Sequence, residues 1–268
     1  MENETRSLPG LKFRTVVIKV SANGIEYEVH SFLHRQSAQI AIFYVDTAAL
    51  KNKRFAMEQS FVFPARIADG ANLKAFFTAV LQDYGGLDAI ASNSRIKGTI
   101  GELEQLSVID WSRCLEICLT GQFLYIPQAV LLIKGKWWRL SLEYGIGCIK
   151  TGLCLSDPHT AAKFGVLGLK ESLANELGPH NIRINAFLSR MVEGPRMNNV
   201  IRARASETSA SFKDIADEYI QNVSLLHILS PDDVALSEGY LLSGSGKKSQ
   251  VNRWPFMEMS NLFDALWN

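Results

Sequence analysis

Short apolar, β-branched runs alternate with helical patterns along nearly the whole chain, and that order constrains the fold more than any other feature. Residues 15–20, 40–45, 61–63, 87–92, 138–142 and 182–187 read as strands. Residues 24–35, 71–84, 111–132 and 159–177 read as helices between them. Asp110 is the expected N-cap of the third helix, and Gly178-Pro179 is the stop signal of the fourth. Strand, helix, strand in repetition implies right-handed crossovers and a parallel sheet covered on both faces. The expected fold is therefore α/β: a Rossmann-like, doubly wound parallel sheet flanked by helices. No internal repeat, low-complexity tract or linker interrupts it. One domain over residues 1–268 is expected, with 1–12 as an N-terminal tail and 246–268 as a divergent C-terminal segment.

Composition narrows the partners. With 268 residues, 47% of them hydrophobic, the chain can bury a core without metals or disulfides. Its 28 basic and 27 acidic residues nearly cancel, so neither nucleic acid nor a membrane surface is an expected partner. No apolar run reaches the length of a membrane span and the N-terminus is polar, so a cytoplasmic protein is expected. Cys114, Cys118, Cys148 and Cys154 match no common zinc spacing and read as buried thiols. His30 and His34 share a helix face but lack a third ligand. No metal is expected.

The segment AAKFGVLGLKESLANELGPHNIRINAF, Ala161 to Phe187, resembles the short-chain dehydrogenase/reductase family. So do Val192-Glu193-Gly194-Pro195-Arg196-Met197 and Ser230-Pro231-Asp232-Asp233-Val234-Ala235. The likeness spans about residues 13 to 245. It implies the same fold, and it allows the family's functional positions to be carried over one by one.

At those positions the chain departs from the pattern. The family's Thr-Gly-x-x-x-Gly-x-Gly turn becomes Lys19-Val20-Ser21-Ala22-Asn23-Gly24-Ile25-Glu26, which keeps only Gly24. The lost glycines would have let backbone approach a pyrophosphate at a helix N-terminus. Val20 adds bulk, and Glu26 adds a carboxylate that would repel a phosphate by several kcal/mol at an effective dielectric of about 20. Glu26 could instead complement the helix dipole. The acidic ribose-binding position falls on Tyr44, with Asp46 two residues on. Asn-Asn-Ala-Gly becomes Ser92-Asn93-Ser94-Arg95, and Pro-Gly becomes Ser189-Arg190. Arg95 and Arg190 could fill the cleft, bind an anionic ligand or face solvent.

The catalytic set thins in the same way. Tyr-x-x-x-Lys becomes His159-Thr160-Ala161-Ala162-Lys163, the helix asparagine becomes Cys118, and no serine stands near 145–147. His159 and Lys163 lie one turn apart on one face. His159 is expected to be neutral and able to act as acid or base, or merely to fill the tyrosine's space. Asp157 before Pro158 reads first as an N-cap and second as an acid/base group. Glu143 and Tyr144 could face the cleft or solvent. The apolar stretch 145–156 could line a pocket, and at most one of Trp137 and Trp138 can point inward.

The expected catalytic residues are thus His159, Lys163, Asp157, Glu143 and Tyr144. Substrate contacts are expected from Arg95, Cys118, Arg190 and Trp138, with Gly24 and Asn93 as vestiges of a cofactor site. Because the losses cluster around the dinucleotide position, the leading expectation is a cofactor-independent, non-redox isomerase or cyclase. It would act on a mostly apolar small molecule, with Diels–Alder-type closure in natural-product assembly as a family analogy. The alternatives are an NAD(P)-dependent oxidoreductase with an atypical site and a non-catalytic assembly partner. Family resemblance implies a homodimer or homotetramer under all three.

Overall fold

The computed structural model describes residues 7–19, 24–44, 60–92, 102–133, 141–145, 157–188, 192–221, 228–249 and 253–255. The alternation resolves into strand β1 (Thr15–Lys19), helix α1 (Ile25–Arg35), β2 (Gln39–Tyr44), β3 (Phe61–Pro64), α2 (Gly70–Tyr84) and β4 (Ala89–Ser92). A long helix follows as α3 (Val108–Leu115), a π turn (Glu116–Thr120) and α4 (Gly121–Ile133). Then come β5 (Ser141–Gly145), α5 (Asp157–Leu177), β6 (Arg183–Leu188), α6 (Pro195–Thr208), α7 (Phe212–Gln221), α8 (Pro231–Leu242) and β7 (Arg253–Pro255). The described strands form one sheet in the order β3-β2-β1-β4-β5-β6-β7, every pairing parallel. Strands β1 and β4 are buried on both faces, which explains their continuous apolar runs. The Rossmann-like fold expected from the sequence is the fold observed.

Two boundaries differ from expectation. Helix α3 starts at Val108 because the Ser107 hydroxyl accepts from the Asp110 N–H at 3.1 Å. Asp110 therefore sits inside the first turn, and its carboxylate accepts from Ser107 Oγ at 2.8 Å. The fifth strand is 141–145, three residues later than expected, so Glu143 and Tyr144 lie within it. Position 138 lies outside the described residues. The helix Val108–Ile133, at 26 residues, is long and apolar enough to cross a membrane, which the sequence reading excluded. It nonetheless buries one face, with Cys114, Cys118, Tyr125, Ala129 and Ile133, against the rest of the fold.

The family-like Ile-Arg-x-Asn-Ala turn gains a structural reason. Arg183 and Asn185 are two apart on β6 and so share a face. Arg183 donates to the carbonyls of Leu241 at 2.7 Å, Gly246 at 2.8 Å and Ser249 at 3.3 Å. Asn185 Nδ2 donates to the Ser249 carbonyl at 3.4 Å. This ties the end of α8 and the turn beyond it to the sheet. The segment expected to diverge from 246 onward thus begins as part of the packed body, and β7 extends the sheet.

His30 is fully buried on α1, with Nε2 2.8 Å from Ser60 Oγ. Burial first, and His34 second, push its pKa down to about 4. The unfolded chain therefore binds more protons between about pH 6.5 and 4. Stability contributed by the neutral ring is present above pH 6.5 and is lost as pH falls through that window, by up to about 1.4 kcal/mol per pH unit. Urea titrations at pH 7 and pH 5 should show this drop, and His30→Gln should flatten it. Equal pH slopes in both proteins would disprove the assignment.

Candidate functional site

The sheet order places a crevice outside the carboxyl ends of β1 and β4, where the strand order reverses. Open α/β sheets bind ligands there. A cleft of about 910 Å³ lies beside it, between the end of β1, the turn after β3 and helix α3. Lys19, Arg66 and Arg113 supply three cations, Glu116 one carboxylate, and Val108 and Ile109 an apolar wall. The cations come from three separate elements, so no local motif announced them.

Gly24 precedes α1 at φ +85°, a left-handed conformation that favours glycine. Among the described residues no side chain caps this helix end, and a Cβ placed on Gly24 would meet only Glu26 Oε2, at 4.0 Å. Glu26 is buried in the first turn, with its carboxylate at the positive end of the helix.

On its other side, helix α3 and the π turn pack against α5. In the π turn the Gly121 N–H bonds to the Glu116 carbonyl, five residues back. Gly165 permits the close approach of α5, since a Cβ there would stand 2.8 Å from the Leu119 side chain. Four polar side chains are buried at this contact: Cys114 and Cys118 from the first helix, His159 and Lys163 from the second. The sulfurs of Cys114 and Cys118 and a ring nitrogen of His159 all lie within 4.8 Å of one another. Burial and the neighbouring Cys118 push the Cys114 thiol up to about 12, against a smaller opposing effect of the Lys163 ammonium. Cys114 is a protonated thiol at neutral pH.

Of the expected site residues, the structure brings Cys118, His159 and Lys163 together and adds Cys114. Asp157 opens α5, and Glu143 and Tyr144 stand on β5 beside β4 and β6. Asn93, Arg95, Trp138 and Arg190 lie outside the described residues. Cys114 and Cys118 are buried and carry no disulfide among the described residues, in line with the buried thiols expected. Their meeting with His159 depends on a helix contact that spacing along the chain does not reveal.

The family described as enoyl-(acyl carrier protein) reductase matches residues 20–249. The chain belongs to the short-chain dehydrogenase/reductase family. Levodione reductase of Leifsonia aquatica is 25% identical over 247 residues, covering 88% of this chain and 91% of that protein. A 3-alpha-(or 20-beta)-hydroxysteroid dehydrogenase of Mycobacterium bovis is 32% identical over 158 residues, covering 58% of each. Among solved structures, an actinorhodin polyketide ketoreductase with NADPH superposes with a TM-score of 0.79 at 21% identity, covering 91% of this chain and 95% of that one.

These relatives correct two expectations. They are reductases and dehydrogenases, which overturns the cofactor-independent isomerase or cyclase. Membership of a family of such reductases and dehydrogenases also overturns the expectation of no dinucleotide. The physical reason lies in the cleft. Missing glycines remove backbone contacts to phosphate, but Lys19, Arg66 and Arg113 line a space where an anion can be held by side chains instead. The residues present fit a dinucleotide's anionic part on that side, while Glu26 disfavours phosphate at the α1 end itself.

Proposed function

We propose that this chain is an NAD(P)-dependent oxidoreductase that interconverts a ketone and a secondary alcohol on a mostly apolar small molecule. The observation that carries the reading is the buried His159–Lys163 pair, which stands at the family's Tyr-x-x-x-Lys positions one turn apart on α5. Lys19, Arg66 and Arg113 would hold the cofactor's phosphates, and their surplus over Glu116 favours NADP(H) over NAD(H). When bound, the dinucleotide supplies or receives the hydride. His159 gives a proton to the carbonyl oxygen or takes it from the alcohol. Lys163 supports the charge that develops on that oxygen. The names of the relatives, which act on levodione, hydroxysteroids and polyketides, support a cyclic substrate.

Calorimetry with NADPH and NADH tests this directly. NADPH is expected to bind more tightly than about 100 µM. Arg113→Glu should weaken it at least tenfold, by roughly 1.4 kcal/mol. No heat with either dinucleotide at millimolar concentration would remove the reading.

A homodimer or homotetramer is part of the same proposal. It is supported by Phe123 and Leu131 on α4 and Phe164 on α5, large apolar side chains left exposed. A monomer mass by light scattering at micromolar and higher concentrations would refute it. A cytoplasmic location also belongs to this reading, and recovery of the chain in the membrane pellet would refute that.

A further inference from the structure

We infer that Cys114, Cys118 and His159 form a binding site for a thiophilic divalent metal, with zinc as the best match. Three ligands of the two types zinc favours converge from two helices: two sulfurs and one imidazole, all buried and mutually within 4.8 Å. Zinc–sulfur bonds of about 2.3 Å and zinc–nitrogen bonds of about 2.0–2.1 Å put tetrahedral ligands roughly 3.5–3.8 Å apart. Contraction of about an ångström therefore closes the set around an ion.

Two further observations agree. The π turn that carries Cys118 is a rare helical feature, found often at functional sites. Moreover, Cys118 and His159 replace the asparagine and tyrosine of the family pattern, so two of its polar positions have become metal-ligating types together. Cys114 lies one turn before Cys118 and completes the trio.

Binding releases the thiol protons to solvent as two metal–sulfur bonds and one metal–nitrogen bond form, and no electron is transferred. It also engages the His159 ring. Metal binding then withdraws the proton donor named above, and the metal acts as an inhibitor of the reductase. This last step rests on the oxidoreductase reading, whereas metal binding does not.

The test uses the full chain, purified under reductant and stripped with a chelator. Cobalt(II) titration is expected to give one ion per chain, with a thiolate-to-cobalt charge-transfer band and the strong visible bands of tetrahedral geometry. Zinc should displace it stoichiometrically. Cys114→Ser should lower zinc affinity at least a hundredfold. The wild-type spectrum reports thiolate ligation even where that variant fails to fold. Absence of the charge-transfer band overturns the site, as does isolation of a Cys114–Cys118 disulfide under reductant. Zinc saturation should abolish NADPH-dependent turnover, with recovery on chelation. Saturation with full turnover would instead overturn His159 as the proton donor and leave the site standing. Metal binding without dinucleotide binding would overturn only the oxidoreductase reading.

Discussion

Replacing His159 with alanine is expected to lower kcat/KM for ketone reduction by about 10²- to 10⁴-fold, the range a positioned general acid supplies. The loss should fall on kcat rather than on the NADPH dissociation constant, because the cations that line the cleft lie on β1, the turn after β3 and the opposite side of α3. His159→Tyr provides the complementary measurement. It rebuilds the family's Tyr-x-x-x-Lys pattern over the retained Lys163, and turnover should return toward wild type. It also removes one of three metal-ligating groups, so this variant should turn over in the presence of zinc. If His159→Ala retains full kcat, the imidazole is space-filling and the proton comes from elsewhere.

The largest stability effect is expected at Arg183. Its guanidinium is buried and bonds to three backbone carbonyls, those of Leu241, Gly246 and Ser249. Truncation to alanine leaves those acceptors facing a dry cavity, at about 1–3 kcal/mol for each one left unsatisfied. Relaxation and water entry will recover part of that, and a net loss of about 3–5 kcal/mol in urea unfolding is expected. Arg183→Lys keeps the charge but not the rigid fork, so an intermediate loss should follow. A loss under about 1 kcal/mol for alanine would show that the turn at 246–249 is held by other contacts.

These two residues mark what the chain's order of residues can and cannot reveal. The strand and helix alternation was legible because burial on two faces forces long apolar runs, as in β1 and β4. The Arg183–Asn185 motif was legible as a resemblance, but its purpose depended on carbonyls some 60 positions away. His159 and Lys163 could be paired from spacing because both lie on one helix. Cys114 could not be joined to His159 in that way, since α3 and α5 lie far apart along the chain and meet only once it folds. Arg66, Arg113 and Lys19 were missed for the same reason. Their charges converge from three elements, whereas the glycine losses were concentrated in one visible stretch. That imbalance favoured a cofactor-free reading, which the relatives overturn.

The π turn has a consequence for how this site could arise and vanish. A π turn is equivalent to one residue inserted into a regular helix. The wide turn absorbs that extra residue, so the helix keeps its facing on either side of it. Deleting one residue between 116 and 120 would therefore restore regular winding while Cys114 kept its side toward α5 and Arg113 its side toward the cleft. Only the local bulge that carries Cys118 would be lost. The cation-lined cleft could thus be inherited without the sulfur–imidazole cluster.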